Sequence, residues 1–176
     1  MTQGATPTSF TDSVDPGTPW TTVGPTNNST LHFIILKRIV PAGGFSPSTT
    51  FTVNWDFAGA PSSALIVSCF ASGNAIPTAT DGYDAGGLSG NISETVPGTT
   101  SPTSYQLAAI SSTVDAGTTY TTADGWQLDQ DATTTTGYGM RTYWRKATTA
   151  GGSTTINSTF GGFAAYIGGW VEVGSP

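Results

Sequence analysis

Charge is what this sequence has least of. Asp, Glu, Lys and Arg make up only 9% of its 176 residues, against about 25% in an ordinary soluble domain. The balance is acidic, with 11 carboxylates against 5 basic residues and a net charge of −6. Phosphate recognition needs a basic surface, so nucleic acid is not an expected partner. Histidine is nearly absent too. The one His, His32, sits in the strand-like run LHFIILKRIV. It reads as a structural, hydrogen-bonded residue rather than a general base. A Ser-His-Asp triad would have to use it, and no serine stands in a G-x-S-x-G elbow. The single cysteine, Cys69, cannot close an internal disulfide and lies in the apolar run ALIVSCFAS, where it reads as a small core residue. One His and one Cys make no transition-metal set. Glu94 and Glu172 are the only glutamates, and nothing marks an acid and a base among the carboxylates, as glycosidase chemistry would require. No catalytic residue, no metal and no cofactor is therefore expected. No apolar run approaches the roughly 18 residues of a membrane span, which argues against membrane insertion, and the N-terminus has no signal-peptide pattern.

What the sequence does have is Thr, Ser and Gly, punctuated by Pro, with few helix formers. That composition favours strands and turns. TTFTVNW alternates, with Phe51, Val53 and Trp55 on one face, and SALIVSCFAS reads as a buried strand. SYQLAAISSTV is open between strand and short helix, and TTYTTADGW leads into a further strand. GYGMRTYWRKAT alternates again, and STTINSTF and GFAAYIGGWVEV read as the last two strands. Residues 73–103, rich in Gly, Pro and Asp, read as a long loop. The expected fold is all-β: a two-sheet antiparallel β-sandwich or jelly roll over residues 29–176, preceded by an extended N-terminal arm, 1–28. The expected core is Phe51, Val53, Leu65, Val67, Trp126, Met140, Trp144, Phe163 and Ala165. Asp81 with Asp84, and Asp129 with Asp131, carry oxygen ligands of the kind Ca²⁺ takes. Neither pair has EF-hand spacing, and both stretches read as loops and turns.

Two groups stand out as candidate contact residues. Phe10 and Trp20 are lone aromatics in the polar arm, placed to anchor it on a partner or on the chain's own domain. Arg141, Tyr143 and Arg145 fall on one face of the GYGMRTYWRKAT strand, with Tyr138, Met140, Thr142 and Trp144 on the other. Taking the second face as the core side puts the Arg-Tyr-Arg row in solvent. There it suits a protein interface, a sugar contact or plain solvation as an edge guard. Lys37 and Arg38 point to opposite faces, so at most one of them can join that row.

The order of elements in the C-terminal half adds a resemblance. Gly125 and Trp126 follow a turn; then come the strand MRTYWRKAT, the short loop AGGST, the strand TTINSTF and a closing GGFAAYIGGWVEV. This run, over roughly residues 120–173, resembles a β-sandwich family of tailed-phage virion proteins, in which a "GW" strand precedes "YxxKAT", "TxTF" and "AAY" strands. TTFTVNW followed by SALIVSCFAS looks like the family's earlier strand pair. The closing YIGG departs from the family's more usual arginine-containing ending. The resemblance implies a non-enzymatic structural role as a minor tail or capsid decoration protein in an extracellular particle. Its expected partners are other virion proteins and further copies of the chain, with a host-surface glycan as an additional one. The alternative is a secreted or cell-surface carbohydrate-binding module.

Overall fold

In a computed structural model of the chain, residues 7–27, 32–38, 43–55, 82–84, 88–114, 120–121, 124–133 and 139–174 are described. These residues hold eleven strands and no helix. All strand pairing is antiparallel. The fold is the expected all-β sandwich.

Its frame is built from Thr-, Ile- and aromatic-rich segments whose side chains suit a pleated, half-buried surface. Strands β1 (Pro7–Asp12), β2 (Thr21–Asn27), β3 (His32–Lys37) and β4 (Phe51–Trp55) form the N-terminal part. Strands β5 (Gly82–Asp84), β6 (Leu88–Val96), β7 (Tyr105–Ser112), β8 (Tyr120–Thr121), β9 (Gln127–Thr133), β10 (Gly139–Lys146) and β11 (Thr154–Val173) form the rest. The larger sheet runs β5-β11-β7-β10-β9. Strand β11 is 20 residues long because it serves two layers. Its second half, Tyr166 to Val173, pairs with β7, while its first half pairs with β6 and β8. The register with β6 shifts between Thr159 and Ala164, where the sequence places Gly161 and Gly162, residues suited to a bend in a long strand.

The core lies between these layers. Ile92 and Val96 of β6 and Ile156 of β11 meet Ala108 and Ile110 of β7, Trp126, and Tyr143 of β10. Fully burying an Ile or Val contributes about 1.5–3 kcal/mol, so this small set of interlocked side chains is the main stabiliser of the sandwich. The opposite face of the large sheet is covered as well. Ala109 and Ile167 form a second cluster there with Ile35 of β3 and with Met140. The tight end of the sandwich is set by backbone approach. Gly98 sits against Gly151 and Gly152 so closely that an added Cβ would lie 2.3 Å from backbone atoms, and Gly151 N–H donates to the Thr99 carbonyl at 2.8 Å.

Several expectations are corrected. Residues 88–96 are a strand rather than part of a long loop. The two closing strands are one continuous strand. Asp129 and Asp131 lie in β9 rather than in a loop. Residues 7–12 and 21–27 of the arm are strands, paired with β4 and β3. The faces of β10 are reversed: Arg141, Tyr143 and Arg145 are buried at 1%, 0% and 8% exposure, while Met140 and Trp144 are half-buried. Alternation correctly separated the two faces, but the inward face is the one carrying the arginines, because they find partners there: Arg141 in Asp131 of β9 and Ser158 of β11, Arg145 in Gln106 of β7. Of the expected core, Trp126 is buried, and Phe51, Val53 and Ala165 are half-buried. Leu65, Val67 and Cys69 lie outside the described residues, as do the side chains of Phe163 and His32.

Candidate functional site

Two polar clusters hold the residues singled out from the sequence. The first lies on the inner face of the large sheet, where register sets its geometry. Arg141 of β10 faces Ile110 of β7 on one side and Asp131 of β9 on the other. Its Nε donates to Asp131 Oδ2 at 3.1 Å, and its Nη1 donates across the layers to Ser158 Oγ at 3.0 Å. Tyr143 Oη lies 3.0 Å from the same Ser158 Oγ. Burial pushes the Tyr143 phenol above its ordinary pKa, against the opposing effects of the Ser158 hydrogen bond and the Arg141 charge. A neutral phenol and a paired guanidinium thus converge on one buried hydroxyl. The arrangement ties the two layers together.

Arg145 belongs to the next rung. Its Nε donates to Gln106 Oε1 at 2.7 Å, and its guanidinium carbon lies 5.5 Å from the Trp126 ring centroid. Burial lowers its pKa, with the Asp124 charge opposing. Gln106 in turn donates through Nε2 to the Pro97 carbonyl at 2.8 Å. Beyond Gln106 on β11, the buried Glu172 accepts from Thr100 N–H at 2.9 Å and from Thr100 Oγ1 at 3.0 Å. Trp126 is held by its own Nε1, donating to Thr154 Oγ1 at 3.1 Å. The preceding Asp124 and Gly125 both have positive φ, 57° and 80°, the combination that a type I′ turn requires of an Asp-Gly pair. On β9, the register shift opposite Thr142 and Tyr143 brings Asp129 to the Thr142 hydroxyl, which donates to it at 3.1 Å.

The second cluster gathers Phe10 and Trp20. Phe10 and Asp12 project from one face of β1, opposite Val53 and Phe51 of β4. Phe10 meets Trp20 edge to face at 4.8 Å, Phe51 meets Phe45 edge to face at 5.2 Å, and Trp20 stacks nearly parallel to Phe45 at 6.3 Å. Asp12 is the polar centre. Its Oδ1 accepts from the N–H groups of Val14 and Asp15, and its Oδ2 accepts from Trp20 Nε1 at 3.0 Å and pairs with Arg38 Nη1 at 3.0 Å. Burial raises the Asp12 pKa, but the Asp15 N–H, the Trp20 indole, the Val14 N–H and the Arg38 charge together outweigh it, and the pKa is lowered.

The structure therefore joins Phe10 to Trp20, and Arg141 to Tyr143, while Arg145 takes separate partners. It removes Arg141, Tyr143 and Arg145 from solvent. Arg38 joins the N-terminal cluster rather than the β10 row. Sequence reasoning missed Asp12, Arg38, Gln106, Asp131 and Ser158 as partners. Only Asp12 carried a local signal, since Asp followed by Ser-Val-Asp-Pro-Gly is turn chemistry; the others are brought in by pairing distant in sequence. Among the described residues, no group of three or more His, Cys, Asp or Glu is placed to hold a metal ion. Comparison with family models, curated proteins and solved structures finds no match.

Proposed function

We propose that the chain is a non-enzymatic structural component of a tailed-phage particle, a minor tail or capsid decoration protein that acts through assembly. The observation that carries this reading is the use to which the interior polar groups are put. Arg141, Tyr143, Arg145, Gln106 and Glu172 are spent on joining strands and layers. The stretch that resembles the phage family covers β8 to β11 and so includes β10 and β11, which carry Arg141, Tyr143, Arg145 and Glu172. Mass spectrometry of purified particles tests it: a stoichiometric band of this chain is the expected result, and its absence from particles made by a host that expresses it would sink the reading.

The carbohydrate-binding alternative draws support from a different pair than the buried row. Tyr105 and Trp144, both half-buried, lie 6.4 Å apart with rings tilted by 40°. The exposed Lys146 places its ammonium 5.6 Å from the Tyr105 ring. Aromatic faces beside a polar group suit sugar stacking. A glycan array run with the parent chain and with Trp144→Ala separates the readings, since glycan binding lost in the variant favours the alternative.

A further inference from the structure

The N-terminal cluster contains a guanidinium whose hydrogen bonding is one-sided. The Arg38 side chain is only 3% exposed. Its Nη1 serves Asp12 Oδ2, the Asp15 carbonyl and, at longer range, the Thr18 carbonyl. Its Nε and Nη2 are buried with no hydrogen-bond partner among the described residues. Those two nitrogens form the side edge of the guanidinium, which offers two parallel N–H donors to the two oxygens of one carboxylate. Asp12 cannot fill that edge, because both its oxygens are already engaged by Val14, Asp15, Trp20 and Nη1. The cluster has a surplus of donors. Trp20 and Phe45 lie against the guanidinium, 5.3 and 5.7 Å from its carbon, and with Phe10 and Phe51 they are half-buried.

We infer that this edge receives a surface carboxylate from a second copy of the chain, with the rings of Phe10, Trp20, Phe45 and Phe51 as the apolar rim of the contact. The inference rests on the reading that the chain works by assembly. Charge identifies the occupant. The chain carries 11 acids to 5 bases, and Arg38, Arg141 and Arg145 have their side chains turned into the fold. Asp124 and Asp131 are exposed on and beside β9, each with one carboxylate oxygen held within its own chain, so another copy brings exposed carboxylates to the encounter. Donor edge and acid source sit on different parts of the molecule, which makes the contact head-to-tail and able to close into a ring or extend as a filament. The edge is buried in the free chain, so docking has to open it, and the signal of Trp20 beside the guanidinium changes with it.

Sedimentation of the purified full chain over a concentration series tests this, alongside Arg38→Lys. Lysine keeps the charge opposite Asp12 but has no planar two-donor edge. The expected result is concentration-dependent association of the parent that salt weakens, reduced at least tenfold in Arg38→Lys with the near-ultraviolet spectrum of the fold retained. A parent that stays monomeric, or a lysine variant that associates equally, overturns the inference. Should the lysine variant lose its tertiary spectrum, the parent decides alone through the Arg38 Nε–H resonance. Movement of that resonance with concentration supports the contact, and a fixed resonance while the chain associates overturns it. Presence of the chain on particles is read independently, so failure of this contact and failure of the particle reading are separate outcomes.

Discussion

The inter-layer core and the N-terminal cluster each bury a guanidinium among aromatics, and they do so with different completeness. In the core, Arg141 is paired with Asp131 and Ser158, and the surrounding Ile92, Val96, Ile110, Tyr143 and Ile156 are at most 2% exposed. In the N-terminal cluster, Arg38 uses one of its three nitrogens and every ring around it is half-exposed. Two strands alone are marginally stable in water, whereas a multistranded sheet with both faces covered is self-sufficient. Arg141 finds its partners within one chain; the N-terminal cluster has the composition of a core but leaves one edge of its guanidinium unpaired among the described residues. A buried charge thus signals stability only where its hydrogen bonds are complete.

The comparison is broken most directly at Tyr143. Replacing it with Ala removes a fully buried ring and one partner of Ser158, and should cost about 3–5 kcal/mol in a urea titration. Tyr143→Phe, which deletes only the hydroxyl, should cost about 0.5–1.5 kcal/mol. A loss below 1 kcal/mol for the alanine variant would mean that the ring is not in the core. The raised phenol pKa gives a second reading of the same residue. The folded state holds the proton more tightly than the unfolded chain, so this contribution is fully present below pH 10 and is lost as pH rises beyond it. Alkaline destabilisation should therefore be smaller in Tyr143→Phe.

Arg141→Met comes next in size. It keeps an unbranched apolar stem but discards the charge-assisted hydrogen bonds to Asp131 and Ser158, for an expected loss of about 1.5–3 kcal/mol. The Asp131 side chain is 37% exposed, so water can take over the abandoned carboxylate, and the effect should sit at the lower end of that range. Asp131→Asn strands the buried cation instead and should be the more damaging of the pair. The reverse order would show that water reaches Arg141 as easily as Asp131.

Acid sharpens the contrast at the other cluster. The Asp12 pKa is depressed below 3.8 in the folded chain. Its contribution is present above the unfolded value and is lost as pH falls through the folded one. Lowering the pH below the ordinary carboxylate range should therefore loosen the N-terminal cluster, read by Trp20 emission. Asp12→Asn should remove this transition while leaving the β10 amides protected from hydrogen exchange.

Strand positions were largely legible in the sequence, and their partners were not. The β10 alternation was visible, but both of its faces carry aromatics, so local pattern could not say which faces the second layer. That decision came from Ser158, on the facing part of β11, and from Asp131 and Gln106 on the strands flanking β10. β6 was hidden because its inward row is Ile92, Glu94 and Val96; a buried Glu in the middle reads as solvent exposure in a stretch already rich in Gly and Pro. The arm looked patternless because its pairing is long-range, Phe10 opposite Val53. Phe10 and Trp20 were recognisable as anchors, while Arg38, which completes their cluster, looked like part of a strand-end basic pair.

The smallest expected effect separates two neighbours on one strand. Arg145 and Lys146 are adjacent cations with opposite orientations, the first 8% exposed and the second in solvent beside Tyr105. Lys146→Ser removes an exposed cation and a ring contact worth about 0.5–1 kcal/mol at most, so the urea midpoint should barely move. Arg145→Ser leaves Gln106 Oε1 without its donor and opens space beside Trp126, which should cost several times more. Alternation in the sequence puts the two on opposite faces of the strand, but nothing local says which face is inward. Equal losses would mean that both side chains lie in solvent, and the inward face of β10 would then have to be reassigned.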